Sequence, residues 1–162
     1  MGLWLAATLA PAGATGGGPA TAPARSDAAK KARMWQLYRG YRKQIGSFPE
    51  VSVARLQALR RKHGSRVVVV DVRDPRERRV STIPGAIPLS RWKRRAGQIV
   101  VAYCTIGARS GMLARKLSRQ GVAIYNLAGS ILAWVHAGGR LERGGKPVRR
   151  LQRVEYLAGL AE

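Results

Sequence analysis

Short apolar runs rich in β-branched residues recur along the middle of the chain and predict buried strands. Residues 67–70 are four consecutive valines, residues 99–103 read Ile-Val-Val-Ala-Tyr, and residues 122–126 read Val-Ala-Ile-Tyr-Asn. A continuous run of this kind is typical of a parallel strand that is covered on both faces. Helix-like segments alternate with these runs, so the pattern predicts an α/β fold with a central parallel sheet flanked by helices.

Three segments carry apolar residues at helical spacing. The first runs from about Ala29 to Ile45 and places its basic residues mostly on the opposite side, which predicts an amphipathic helix that packs on the domain. The second runs from Val53 to Lys62, with Ser52 as its N-cap and Gly64 as its end. The third covers residues 111–120. The apolar face of the first helix holds Met34, Leu37, Tyr38, Tyr41 and Ile45.

Proline and glycine mark the predicted turns. Residues 83–86 read Ile-Pro-Gly-Ala and predict a turn into another short strand. Residues 144–147 read Gly-Gly-Lys-Pro and predict a second turn, and residues 154–160 predict a short helix that docks on the domain.

The ends of the chain differ in composition from its centre. Residues 1–28 are rich in Ala, Gly, Pro and Thr, and we predict a disordered or targeting segment there. We then expect a helical extension at residues 29–50, one domain at residues 51–141 and a C-terminal extension at residues 142–162. The apolar run at residues 3–10 is too short to span a bilayer, so we expect a soluble protein. Its location would be the cytoplasm, or the plastid stroma if the first segment acts as a transit peptide.

The chain is strongly basic, with 30 Lys and Arg against 8 Asp and Glu and a formal net charge of +22. The excess is spread along the chain: residues 1–64 carry a net +9, residues 65–141 carry +11 and residues 142–162 carry +2. No nucleic-acid motif accompanies this charge, so we predict no dedicated nucleic-acid binding. Spread positive charge favours encounters with small anionic substrates instead.

Cys104 is the only cysteine, so the chain cannot form an internal disulfide and the thiol is free for chemistry. It directly follows the apolar run at residues 99–103 and precedes a helical pattern. Backbone N–H groups at the start of a helix lower the pKa of a thiol held there, so this position favours a nucleophile. His63 and His136 are isolated and form no set of metal ligands with Cys104, so we predict neither a metal nor a cofactor.

The spacing after the cysteine narrows the class of chemistry. Four residues separate Cys104 from Arg109, whereas cysteine phosphatases need five to wrap a phosphoryl group. Residues 104–110 resemble the C-x-x-G-x-R-S active-site loop of the rhodanese sulfurtransferase family. Residues 70–75 with 83–87 are similar to the D-V-R and I-P-G-A elements of that family, and residues 126–134 to its G-G-x-x-x-W segment. The resemblance covers roughly residues 51 to 141 and implies a single rhodanese-like domain.

The resemblance also implies a mechanism. The Cys104 thiolate would attack the sulfane sulfur of thiosulfate or of a persulfide donor, become a persulfide and pass that sulfur to a thiol or to cyanide. Arg109 would bind the anionic leaving group or brace the loop, Ser110 would cap the next helix, and Asp71 and Arg73 would organise the loop from beneath. The residues predicted to bind the substrate are Thr105, Ile106, Gly107, Ala108, Arg109 and Ser110.

Two other functions stay open at this point. A rhodanese-like module that carries a persulfide or docks a protein partner without turnover is one, because residues 90–98 are shorter than the corresponding helical segment of the family. A phosphatase or arsenate reductase is the other, and the short loop argues against it. The expected partners are therefore a small anionic sulfur donor and a thiol or protein acceptor, and the sequence predicts no oligomeric state.

Overall fold

The computed structural model describes residues 22–148 of the 162-residue chain. The helices are α1 (Ala22–Ile45), α2 (Val53–His63), α3 (Pro75–Val80), α4 (Ala108–Arg119) and α5 (Ser130–His136). The strands are β1 (Glu50–Val51), β2 (Val67–Asp71), β3 (Ile87–Pro88), β4 (Ile99–Tyr103), β5 (Ile124–Leu127), β6 (Leu141–Arg143) and β7 (Lys146–Val148). Short 3₁₀ turns lie at Gly64–Arg66 and Leu89–Arg91.

A five-stranded parallel sheet in the order β1-β5-β4-β2-β3 forms the centre of the fold. The valine run of β2 pairs in register with β4, so that Val68 lies opposite Val100. On β4, Val101 and Tyr103 face one apolar cluster, while Val100 and Ala102 face the other. The predicted α/β class with a parallel sheet flanked by helices is therefore confirmed.

The helices cover the two faces of this sheet. Apolar residues of α2 and α5 join the cluster on one face, and those of α4 join the cluster on the other. The predicted cap of α2 is present, because Ser52 Oγ accepts a hydrogen bond of 3.1 Å from the Arg55 N–H. Gly64 ends the helix at a φ of 52°, as its position predicted.

The N-terminal helix α1 packs against the domain, as the apolar spacing predicted. Met34 and Tyr38 are buried, and the other three residues of the predicted face are partly buried against the core. The helix contacts both α4 and α5. No helix among residues 22–148 is long and apolar enough to cross a bilayer.

Three predicted boundaries are wrong. α1 begins at Ala22, not near residue 29, and β5 begins at Ile124, not at residue 122. α4 begins at Ala108, three residues earlier than predicted, because Gly107 adopts a φ of 111° and its carbonyl accepts the Gly111 N–H at 3.0 Å.

The C-terminal part differs from the predicted turn. β6 and β7 form an antiparallel hairpin whose turn is Gly144 and Gly145 alone, both at positive φ, and the next two residues belong to β7. The helix predicted at residues 154–160 lies outside the described residues, and so does most of the predicted first segment. The division of the chain at residues 28, 50 and 141 stays a prediction.

Parallel strands place their carboxyl ends at one edge of the sheet, and ligand sites in α/β folds lie at that edge. β2 ends at Asp71, β4 is followed by Cys104, and β5 is followed by the turn that leads to Ser130. β4 lies between β2 and β5, so these three loops are neighbours. The fold therefore brings Cys104 to the middle of the edge where a site is expected.

Candidate active site

The Cys104 sulfur lies inside a tight loop that joins β4 to α4. Cys104 Sγ accepts a hydrogen bond of 3.1 Å from the Gly107 N–H, and the N–H groups of Ile106 and Ser110 also point to it. Gly107 is required for this turn, because its φ of 111° is unfavourable for other residues. A Cβ there would also lie 2.6 Å from Cε2 of Tyr38, which covers the loop.

These contacts favour the ionised form of the sulfur. Burial raises the pKa of the Cys104 thiol, since the residue is only 1 % exposed. The N–H and hydroxyl of Ser110 and the N–H groups of Gly107 and Ile106 outweigh that effect, and the pKa is lowered. The loop thus favours the thiolate, which is the nucleophilic form of cysteine.

Arg109 clamps the loop to α3. Its guanidinium donates hydrogen bonds of 2.7 and 2.8 Å to the two carboxylate oxygens of Glu77 and one of 3.1 Å to Thr105 Oγ1. Thr105 in turn donates to Glu77 at 2.7 Å, so both ends of the loop meet one carboxylate. These charge-assisted contacts fix the loop to α3, and the role of Arg109 toward a substrate stays a prediction.

Asp71 and Arg73 form a buried ion pair under the loop. Arg73 donates to Asp71 Oδ2 at 2.7 Å and to the Ser81 carbonyl at 2.6 Å. The Tyr103 hydroxyl donates to the same Asp71 oxygen at 2.6 Å and accepts the Ile83 N–H at 3.1 Å. The pair therefore ties the end of β2 to β4 and to the segments around α3, and no hydrogen bond among the described residues joins it to Cys104.

Ser110 does not cap α4, so that prediction is wrong: Gly107 is the N-cap. Ser110 lies in the first helical turn, and its hydroxyl donates a hydrogen bond of 2.6 Å to Asn126 Oδ1. Ser110 is fully buried next to Cys104, which places its hydroxyl in the site and not at the helix surface.

The predicted substrate-binding residues all belong to this loop and the first turn of α4. Thr105 and Ile106 are buried, whereas Ala108 and Arg109 are partly exposed. The loop offers its N–H groups to the sulfur mainly through Ile106, Gly107 and Ser110. The role of these residues toward a substrate stays a prediction.

Ser130 is a site residue that sequence analysis missed. Its Oγ accepts the Cys104 N–H at 3.0 Å and lies 3.9 Å from Cys104 Sγ. Among the described residues, Ser130 is the only one other than glycine with positive φ, at 53°. The sequence did contain one indication of it: in the segment that resembles G-G-x-x-x-W, Ser130 stands in place of the second glycine.

Tyr38, Glu77 and Asn126 were also missed as site residues. Asn126 donates to the Tyr38 hydroxyl at 3.0 Å, so a residue of α1 lies within two hydrogen bonds of Ser110. The periodicity of α1 predicted only that Tyr38 is buried. Glu77 lies in α3, a six-residue helix that the sequence analysis did not predict.

The histidines lie apart from this site. His63 ends α2, where its Nδ1 lies 2.9 Å from a nitrogen of Arg66, and His136 is the last residue of α5. Within residues 22–148, no group of three or more His, Cys, Asp and Glu side chains is placed to hold a metal ion.

Residues 52–137 match the rhodanese-like domain family. The chain belongs to this family. The match covers β2 to β5, the Cys104 loop and α5, while α1 and β1 precede it in the chain. No curated protein matches the chain.

Solved structures share the rhodanese-like fold. A protein from Bacillus halodurans is 24 % identical with a TM-score of 0.51, and the match covers 76 % of this chain and 97 % of the other. A protein of unknown function from Rhodopseudomonas palustris, described as a possible tyrosine phosphatase, is 28 % identical with a TM-score of 0.51, covering 67 % and 91 %. A thiosulfate sulfurtransferase from Pseudomonas aeruginosa is 20 % identical with a TM-score of 0.55, covering 78 % of this chain and 26 % of the other.

Proposed function

We propose that the protein is a sulfurtransferase that carries sulfane sulfur as a persulfide on Cys104. The observation that supports this most directly is the buried Cys104 sulfur that accepts the Gly107 N–H of its own loop at 3.1 Å, a contact that also lowers the pKa of the thiol. Such a loop stabilises an anion through its backbone N–H groups.

In the first step the Cys104 thiolate attacks the sulfane sulfur of thiosulfate. The new bond joins Cys104 Sγ to the sulfane sulfur, while the bond between the two sulfur atoms of thiosulfate breaks and sulfite leaves with its electron pair. The outer sulfur of the resulting persulfide carries the negative charge. The N–H groups that stabilise the thiolate lie at the base of this persulfide, so the loop serves both states.

In the second step an acceptor removes the sulfur. A thiolate or cyanide attacks the outer sulfur, the bond between the two sulfur atoms of the persulfide breaks, and the Cys104 thiolate is regenerated. The product is an acceptor persulfide or thiocyanate. Because the leaving group is the Cys104 thiolate, the low pKa of this thiol favours the second step as well as the first.

The choice of an anionic donor follows from charge. The net charge of +22 attracts small anions such as thiosulfate. Arg109 supports the site through its clamp on Glu77 and Thr105, and we assign it the bracing role. Asp71 and Arg73 hold the end of β2 and take no part in the chemistry.

A second candidate is a persulfide carrier or docking module that does not turn over small donors. The burial of Cys104 favours it, since a side chain that is 1 % exposed offers little surface to a small donor in solution. After the 3₁₀ turn at Leu89–Arg91, residues 92–98 contain no regular helix, so the segment differs from the longer helical one of the family.

Phosphatase activity is the weakest candidate. One structural neighbour is described as a possible tyrosine phosphatase. The loop of this chain places four residues between Cys104 and Arg109, one fewer than phosphoryl binding needs. Hydrolysis of an aryl phosphate that is lost in Cys104→Ala would support this candidate.

Domain boundaries and location stay proposals. We propose that residues 51–141 form the catalytic domain, that residues 29–50 and 142–162 are extensions, and that residues 1–28 act as a targeting segment. The proposed location is the cytoplasm, or the plastid stroma if that first segment is a transit peptide.

The test is thiosulfate:cyanide sulfurtransferase activity, measured as thiocyanate release by the full chain and by Cys104→Ala. Activity that is lost in the variant supports the enzyme. Persulfide formation without release of thiocyanate supports the carrier. Absence of both, with folded and reduced protein, contradicts the two proposals together.

A further inference from the structure

A chain of buried hydrogen bonds runs from the N-terminal helix to the catalytic loop. Tyr38 donates its hydroxyl proton to Glu50, and its oxygen accepts a hydrogen bond of 3.0 Å from Asn126 Nδ2. Asn126 Oδ1 accepts the Ser110 hydroxyl at 2.6 Å. Ser110 Oγ lies 3.4 Å from Ser130 Oγ, which in turn lies 3.9 Å from Cys104 Sγ. The Ser110 N–H also helps to lower the pKa of Cys104.

The direction of this chain is fixed by the donors and acceptors available. A Glu50 carboxylate only accepts, so Tyr38 must donate to it and is left with an oxygen that only accepts from Asn126. That requirement turns the amide nitrogen of Asn126 toward Tyr38 and its oxygen toward Ser110. Burial and the hydrogen bond to Glu50 both raise the pKa of Tyr38, so its proton stays in place at neutral pH.

The same contacts hold the first turn of α4. Asn126 and Ser110 are fully buried, and Tyr38 is 5 % exposed. The Ser110 hydroxyl has one proton, and it donates that proton to Asn126 Oδ1. A fixed Asn126 keeps the Ser110 oxygen and N–H within reach of the thiolate.

We infer that Tyr38, outside the matched domain at residues 52–137, is a positioning residue for Cys104 and acts through Asn126 and Ser110. The N-terminal helix is therefore part of the active-site machinery and not an appended segment. The effect of Tyr38 on sulfur transfer rests on the proposed function. Its effect on the Cys104 pKa does not, because that pKa is measured without any sulfur donor.

Other charged and titratable groups around the loop are paired with one another. Arg109 pairs with Glu77 and Asp74 on the α3 side, and Arg42 pairs with Glu50 at the far end of the chain of hydrogen bonds. Beneath the loop, Asp71 pairs with Arg73 and accepts from Tyr103. None of these groups is altered by replacing Tyr38 with phenylalanine, except that Glu50 loses one donor.

The test is the pKa of Cys104 in full-length Tyr38→Phe, Ser110→Ala and the double variant. Thiolate absorbance is followed against pH, and the signal of the same variant with Cys104→Ala is subtracted, so that tyrosine ionisation cancels. Tyr41→Phe is the matched control, because Tyr41 lies on the same helix, is partly buried and makes no hydrogen bond among the described residues.

We expect Tyr38→Phe to raise the pKa, so that the thiolate fraction below the pKa falls about threefold to tenfold, while Tyr41→Phe leaves it unchanged. On the Ser110→Ala background, Tyr38→Phe should add little, since residues that act through one network are not additive. An unchanged pKa in Tyr38→Phe overturns the inference. Full additivity with Ser110→Ala also overturns it, because Tyr38 would then act only by packing α1 on the domain.

A second variant covers the case in which Tyr38→Phe does not fold. Glu50→Gln leaves the Tyr38 ring in place and weakens the far end of the chain of hydrogen bonds. It should raise the Cys104 pKa in the same direction by a smaller factor, and an unchanged pKa counts against the inference. If the Cys104 pKa rises as expected but the natural chain transfers no sulfur, the positioning role of Tyr38 stands and the proposed function fails.

Discussion

The Arg109 guanidinium and the Glu77 carboxylate face each other through two parallel hydrogen bonds of 2.7 and 2.8 Å. Charge-assisted pairs of this geometry are stronger than single neutral hydrogen bonds. Glu77 also accepts from Thr105, the residue after Cys104. The loop that holds the sulfur is therefore fixed at both ends by one carboxylate from α3.

Glu77→Gln should destabilise the protein by about 2 kcal/mol, because the partly buried Arg109 guanidinium loses its closest carboxylate while the longer contact with Asp74 remains. Chemical denaturation of the full chain measures this. Asp27→Asn is the control, since Asp27 forms an exposed pair with Lys30 and should change the free energy of unfolding by less than about 0.5 kcal/mol. Equal changes in the free energy of unfolding would show that the Arg109–Glu77 pair stabilises the protein no more than an exposed ion pair does.

The same carboxylate should make stability depend on acid pH. Burial raises the pKa of Glu77, but hydrogen bonds from Arg109, Thr105 and the Asp74 backbone lower it from 4.5 to about 2. A folded-state pKa below the unfolded value adds stability that is complete above about pH 4.5 and is lost as the pH falls toward 2. As the pH falls from about 4.5 toward 2, the free energy of unfolding, measured by denaturation at several pH values, should decrease more steeply in the natural chain than in Glu77→Gln. Parallel decreases in the two proteins would show that the pKa of Glu77 is not lowered in the folded state.

Ser130 should have a strained backbone, and its hydroxyl should support the Cys104 loop. Ser130→Gly removes the strain of a φ of 53° together with the hydroxyl, whereas Ser130→Ala removes only the hydroxyl. We expect the alanine variant to be less stable than the glycine variant by about 1 kcal/mol. Both should react more slowly with a thiol reagent, because each loses the oxygen that accepts the Cys104 N–H. Equal stability of the two variants would show that the backbone is unstrained.

Gly107→Ala should be strongly destabilising. An added Cβ meets the Tyr38 ring at 2.6 Å, and the φ of 111° disfavours alanine. We expect a loss of about 2 kcal/mol or more. Gly40→Ala is the matched control: Gly40 lies in α1 with open space around it, so alanine should stabilise by about 0.5–1 kcal/mol. Thermal unfolding of both variants checks the prediction, and a stable Gly107→Ala would contradict the close contact with α1.

The sequence predicted the sheet and the loop because both are encoded locally. Residues 67–70 and 99–103 are apolar throughout, which distinguishes buried parallel strands from surface ones. The Cys104 loop needs a glycine and follows a strand directly, so its position was visible as well. Burial and backbone conformation leave a pattern over a few neighbouring residues.

The polar partners of the loop leave no such pattern. Tyr38 and Asn126 are 88 positions apart, and Glu77 and Arg109 are 32 apart. An apolar period shows that Tyr38 is buried, but the acceptor that its hydroxyl meets depends on how α1 docks. The same limit explains Ser110, whose residue type suggested a helix cap while the tertiary structure directs it to Asn126.

The most direct test of the central claim is the mass of the intact chain after incubation with thiosulfate and removal of the excess. We expect a gain of one sulfur atom, located on Cys104, matched by release of one equivalent of sulfite and absent from Cys104→Ser. Reducing agent should reverse it. A folded, reduced chain that gains no sulfur on Cys104 and releases no sulfite would contradict the account.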